Sequence, residues 1–189
     1  MTTLWLRTLA LLAGIGLLAS AGMAQGQTQG GNEPQFKQVK LTEKKVQGFI
    51  SAQKQLAPLA SKLDEASADK PDPALQKQVE EIAKSNGFST VEELGEVGAN
   101  VSLVLAGLDA KTGQFTEPPE LIRKEIEAIK QDKQMPQKER DEALSEMQEA
   151  LKTATPLQFK ENVALVKKYQ KQLAEVTQES EQQQGPEKK

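Results

Sequence analysis

Carboxylates are the only side chains present in quantity that could move a proton near neutral pH, because the chain has no His and no Cys. Without His it lacks the group whose ordinary pKa lies nearest neutrality, and the commonest transition-metal ligand. Without Cys there is no thiolate nucleophile, disulfide, Cys–zinc site or iron–sulfur cluster. Glu80-Glu81, Glu92-Glu93 and Asp141-Glu142 are adjacent acidic pairs. Each lies in a helical pattern, where neighbouring side chains point about 100° apart and do not face one another. Acid–base pairs need opposed carboxylates, usually with one buried and raised in pKa. These pairs stand among other charges and read as solvated helix faces.

The stretch Asp109–Glu120 has acidic residues at its first and twelfth positions, as a calcium loop would. Lys111 at the third position sets positive charge against an ion, and the glycine falls at the fifth position, Gly113, instead of the sixth, Gln114. Calcium binding is rejected on those grounds. No G-x-S-x-G arrangement and no glycine-rich phosphate loop is present. Lys44-Lys45 and Lys167-Lys168 read as salt-bridged or solvated pairs. The expectation is therefore a non-enzymatic chain with no catalytic, cofactor-binding or metal-binding residues. Val101, Val104, Leu105 and Leu108 are the candidate lining of an interhelical cavity, were the protein a small-ligand or lipid carrier.

The elements that would position these residues follow from apolar spacing. In 189 residues, 37% are hydrophobic and only 4% aromatic, so the core must rest on Leu, Val, Ile and Ala. That composition suits helices packed on helices better than a β-sandwich. The expected fold is all-α, a single bundle of five or six mostly antiparallel helices over residues 36–178, between flexible tails at 25–35 and 179–189. A first helix starts at Thr42 and is divided by Pro58 near Ala57. A second has Asp72 as cap, Pro73 at its first position and Asn86-Gly87 as its stop. A third starts at Ser89, with Glu92 closing a capping box, and runs into the apolar VSLVLAGL stretch at Val101–Leu108. Apolar residues nearly all round mark this stretch as a central helix, with a short buried strand as the rival reading. Gly98 and Gly107 would allow close approach of neighbours.

A fourth helix follows Pro118-Pro119 and turns Leu121, Ile122, Ile126 and Ile129 inward. A fifth starts at Pro136 and buries Leu144, Met147 and Leu151. A sixth starts near Pro156, with Thr155 and Gln158 as a capping box, and carries Phe159, Val163, Val166, Leu173 and Val176 along one side. Pro73–Lys84 echoes Pro119–Lys130, but two Pro-started amphipathic helices look alike by construction, and duplication is the less favoured reading.

Residues 1–24 read as a secretory signal peptide: one positive charge at Arg7, an apolar run Leu9–Ala19, then Ser20, Ala21, Gly22, Met23 and Ala24. Cleavage is expected before Gln25, with an earlier site after Ala21 as the alternative. The apolar run is short of the roughly 20 residues a spanning helix needs, so the membrane is met only during export. The formal charge of −3, with both signs interleaved, leaves no basic stripe for nucleic acid.

The leader, LTEKKVQGFI at Leu41–Ile50, NGFSTVEELGEV at Asn86–Val97 and the Pro-started helices together resemble small helical exported proteins of Gram-negative bacteria. The resemblance is one of design, over about Phe36–Gln178. It implies a periplasmic or secreted protein whose partners are envelope or client proteins, and it supplies no activity. Leu41-Thr42 is also similar to the start of the L-T-x-x-Q motif of periplasmic stress chaperones of the Spy type. Lys45 stands where that motif has Gln and no second copy follows, so no functional residues carry over. Oligomeric state is not encoded in any of these features.

Overall fold

The computed structural model describes residues 37–65 and 72–183; the expected leader at 1–24, the expected flexible segment 25–35 and the end of the chain from 184 lie outside the described residues. Within them the chain is an all-α bundle. The helices are α1 (Glu43–Leu56), α2 (Ala60–Glu65), α3 (Pro73–Ser85), α4 (Val91–Gly107), α5 (Pro118–Gln131), α6 (Gln137–Thr153) and α7 (Glu161–Gln183). α7 thus runs past position 178, where a tail was expected to begin.

Local chemistry sets most helix ends. Thr42 is extended and its hydroxyl accepts the Lys45 N–H, so α1 starts where the sequence places its cap. Pro58 divides the first segment, turning Ala57–Leu59 into a 3-10 turn before α2. Asp72 accepts from the Ala74 and Leu75 N–H groups at 2.9 and 3.2 Å, with Pro73 opening α3. α3 stops as Gly87 takes φ 85° and the Phe88 N–H returns to the Ala83 carbonyl; a side chain at 87 would be strained there.

Two starts differ from expectation. The cap of α4 is Thr90, not Ser89, and its hydroxyl accepts from Glu93 N–H. The Glu93 carboxylate, not that of Glu92, then reaches back to the Ser89 N–H at 2.7 Å. The last helix begins at Glu161, not near Pro156. The N–H groups that would begin it are taken from outside: Leu157 donates to Glu117 Oε2 and Gln158 to Gln38 Oε1. Residues 154–160 therefore form a pinned connection, and Phe159 is not on the α7 stripe.

α4 lies against α1, α3, α5 and α7, and α1 also packs on α7. The Val101–Leu108 stretch is helical as far as Gly107, after which Leu108 makes an isolated antiparallel bridge to Phe115. The buried interior joins Val46 and Ile50 of α1, Val97, Val101 and Val104 of α4, and Val166, Leu173 and Val176 of α7. α5 packs chiefly on α6, across the short connection 132–136, as a hairpin. Arg140 closes that connection by donating to the Asp132 and Met135 carbonyls. Ile126 and Ile129 are buried, whereas Leu121 and Ile122 are half-buried. α6 buries no residue fully: Leu144, Met147 and Leu151 are all half-buried, a correction with a simple cause. One neighbouring helix covers only a narrow stripe, so a two-helix hairpin leaves the flanks of that stripe in water.

The close approach expected at two α4 glycines is present. A Cβ on Gly98 would lie 2.8 Å from the Phe49 ring, and one on Gly107 would lie 2.6 Å from the Thr116 carbonyl oxygen and overlap the Phe115 ring. Gly95, on the same helix, has nothing within 4 Å of such a Cβ. Gly107→Ala should therefore lower the unfolding free energy by about 1–3 kcal/mol through overpacking. Gly95→Ala should raise it by about 0.5–1 kcal/mol through helix propensity. Urea unfolding followed by circular dichroism separates the two signs.

Candidate functional site

The residues that could have done chemistry are dispersed and individually engaged. Glu80 pairs with Lys84 and Glu81 with Lys77, one turn away along α3. Asp141 accepts from Gln137 Nε2, and Glu142 faces Lys138. Glu93 binds Lys45 Nζ at 2.6 Å, and the same ammonium donates to the Gly87 carbonyl and sits over the Phe88 ring. That lysine thus fastens α1 to the α3–α4 corner. Lys167 donates to the Gly113 carbonyl, and Lys168 pairs with Glu43.

In the 109–120 loop, Asp109 Oδ1 accepts from the Lys111 and Thr112 N–H groups and from the Thr112 hydroxyl. These donors, Thr112 N–H foremost, hold its pKa below the ordinary range. Among the described residues no group of three or more acidic side chains could hold a metal ion.

Val101, Val104 and Leu108 are buried in the packed interior, and Leu105 lies at its edge. An open groove of about 500 Å³ runs elsewhere, between α1, the 3-10 turn and α3, lined by Gln55, Leu59, Gln78, Glu81, Ile82 and Ser85. None of the four candidate residues reaches it.

The most developed polar constellation was not among the expected sites. Asn100 of α4 and Asn162 of α7 are each 1% exposed, the two fully buried polar side chains of the described region. Both are directed at the backbone of residues 37–41. Asn100 Oδ1 accepts the Val39 N–H at 2.9 Å, while its Nδ2 donates to the Lys37 carbonyl at 2.9 Å and to its own helix at Glu96. Asn162 Oδ1 accepts the Leu41 N–H and its Nδ2 donates to the Val39 carbonyl, both at 2.9 Å. Alternate residues of the segment thus present their polar edge to two carboxamides, as they would to a neighbouring β-strand.

The segment's side chains face in other directions. Leu41 is buried in the core and Val39 packs at its margin. The Gln38 amide bridges the 154–160 connection, donating to Thr155 Oγ1 and the Pro156 carbonyl and accepting from Gln158 N–H. Lys40 pairs with Glu161 at 2.9 Å on the rim. Below the segment, Tyr169 donates a short hydrogen bond to Glu43 and accepts from Gln47 Nε2 at 2.7 Å, tying α7 to the first turns of α1.

No protein-family model, curated protein or solved structure matches the chain. The two buried carboxamides offer hydrogen bonds to peptide backbone. No described helix is long and apolar enough to cross a membrane.

A sequence signal for the asparagines did exist. Asn162 is in register with Val166, Tyr169, Leu173 and Val176 at alternating four- and three-residue steps, and all four of those are buried. Asn100 lies beside Val97, Val101 and Val104. A polar residue on a buried stripe needs a partner, but its identity is invisible until the chain is folded.

Truncating Asn162 to Ala leaves the Leu41 N–H and the Val39 carbonyl without their buried partner. Thermal or urea unfolding should register a loss of at least about 2 kcal/mol. A variant as stable as the parent would show that the clamp does not stabilise the fold. Glu43, Glu93 and Glu161 have folded pKa values below their ordinary 4.5, held there first by hydrogen bonds from Lys168, Lys45 and Lys40 respectively. The unfolded chain then binds more protons in acid, so this stabilisation is present above the ordinary carboxylate range and fades as pH falls through the lower folded values. Melting temperature should drop between about pH 5 and about pH 3, and Glu43→Gln should make that slope shallower.

Proposed function

We propose that this chain is an exported, non-enzymatic binding protein of the bacterial cell envelope, which holds partly folded client proteins in a chaperone-like manner. The observation that carries the reading is the direction of its two buried carboxamides, which bind main-chain N–H and C=O groups common to every polypeptide. Export is supported by the order of charge, apolar run and small residues in 1–24. The absence of His and Cys, and the engagement of the acidic pairs with nearby donors, argue for binding in place of catalysis.

A periplasmic home fits an all-helical design that dispenses with disulfides, because its stability comes from packed Leu, Val and Ile. Partners are envelope or client polypeptides, met through hydrogen bonding and apolar contact with no cofactor.

Two measurements test this reading. Mature protein from the periplasmic fraction should have an intact mass lacking residues 1–24; protein retaining Met1 in the cytoplasm defeats the export assignment. Light scattering of a heat- or reductant-unfolded client should fall as the protein is added at one to ten equivalents. Unchanged aggregation at tenfold excess defeats the chaperone assignment.

A further inference from the structure

We infer that the channel bounded by α4, the start of α7 and the 154–160 connection is a polypeptide-binding site, and that Lys37–Leu41 is its resident occupant in cis. Its ligand class is an extended segment with aliphatic residues at alternate positions and polar residues between them. The inference rests on the binding-protein reading above and assigns it a site.

The clamp reads three residues of extended backbone through four hydrogen bonds of 2.9 Å, and none of the four involves an occupant side chain. Side-chain preference enters through Leu41, 4% exposed among core residues, and through Val39 at the core margin. Gln38 and Lys40 alternate with them and bond to exposed groups on the rim. Such alternation is what β-forming stretches of an unfolded chain offer, and a fixed amide edge that completes a strand's hydrogen bonds is a recurring way to bind them.

The occupant is also separable from the helices. It belongs to none of them, and it joins α1 through Thr42 alone. Its partners Asn100, Thr155, Gln158 and Asn162 lie far along the chain, on α4, the 154–160 connection and α7. A segment tethered this closely competes at an effective concentration in the millimolar range. A second polypeptide therefore enters measurably only when the resident segment is loosened.

The experiment uses the full chain, its Gln38→Ala variant and a fluorescein-labelled peptide of sequence QFKQVKL, read by anisotropy. Gln38→Ala removes the resident segment's bonds to Thr155, Pro156 and Gln158 and leaves the clamp intact. The peptide should bind the variant about tenfold more tightly than the parent chain. The same peptide N-methylated at the positions matching Val39 and Leu41 should not bind either protein, because both donated N–H groups are gone. Asn162→Ser in the Gln38→Ala background should weaken binding of the unmethylated peptide at least tenfold; should that protein fail to fold, the methylated peptide alone carries the comparison.

Equal binding to parent and variant, equal binding of both peptides, or no binding at all overturns the site. If the protein protects clients while the peptide fails these tests, the site falls and the chaperone role stands. If the peptide behaves as expected and clients still aggregate, the site stands and the chaperone role falls.

Discussion

Two carboxamides in a dry interior hold the beginning of the described chain, and much of the tertiary arrangement depends on their being satisfied. Asn100 and Asn162 come from α4 and α7, and each must find partners or carry the cost of burial without hydrogen bonds. The backbone of Lys37–Leu41 supplies those partners and in turn has its own polar edge satisfied. The arrangement also seats Leu41 in the core immediately ahead of the α1 cap, so the clamp sets where α1 enters the bundle. α1, α4 and α7 then close on one another with aliphatic side chains.

Charge in this molecule acts as fastening. Lys45 joins α1 to the α3–α4 corner, Lys167 holds the 109–117 loop, and Glu43 meets Lys168 and Tyr169 across the α1–α7 seam. These are exposed or half-exposed contacts, and individually such pairs contribute little. Their value is positional, since each bridges elements distant in sequence. The acidic pairs at 80–81 and 141–142 each meet a partner one turn away on their own helix. The α5–α6 hairpin stands apart from this scheme, with Ile126 and Ile129 outside the main cluster and Arg140 closing its turn.

Much of the fold was legible from residue types alone because its signals are local. Thr42, Asp72-Pro73, Pro58 and Asn86-Gly87 act within one helical turn, and each acts where its chemistry says it should. Gly98 and Gly107 were readable as points of close approach, and rings occupy both places. The failures share one cause. Thr155 and Gln158 satisfy a capping pattern, yet their groups bond to Gln38, a residue more than a hundred positions away. Ser89 yields the cap to Thr90 because Glu93 can serve both the turn and Lys45. Leu144, Met147 and Leu151 have the right spacing for burial, but spacing cannot say how many helices will cover them.

By itself the amino-acid sequence determined that the chain is helical, where most helices begin and end, and which chemistries His- and Cys-dependent sites would have needed. Those properties depend on torsional preference, capping and composition, which act over a few residues or over none. Tertiary structure alone decided that residues 37–41 lie across α4 and α7, that two asparagines read their backbone, and that α6 remains half-covered. A polar residue on a buried stripe, such as Asn162, announces that it needs a partner, but the partner is a backbone segment distant along the chain, and nothing names it before the helices meet.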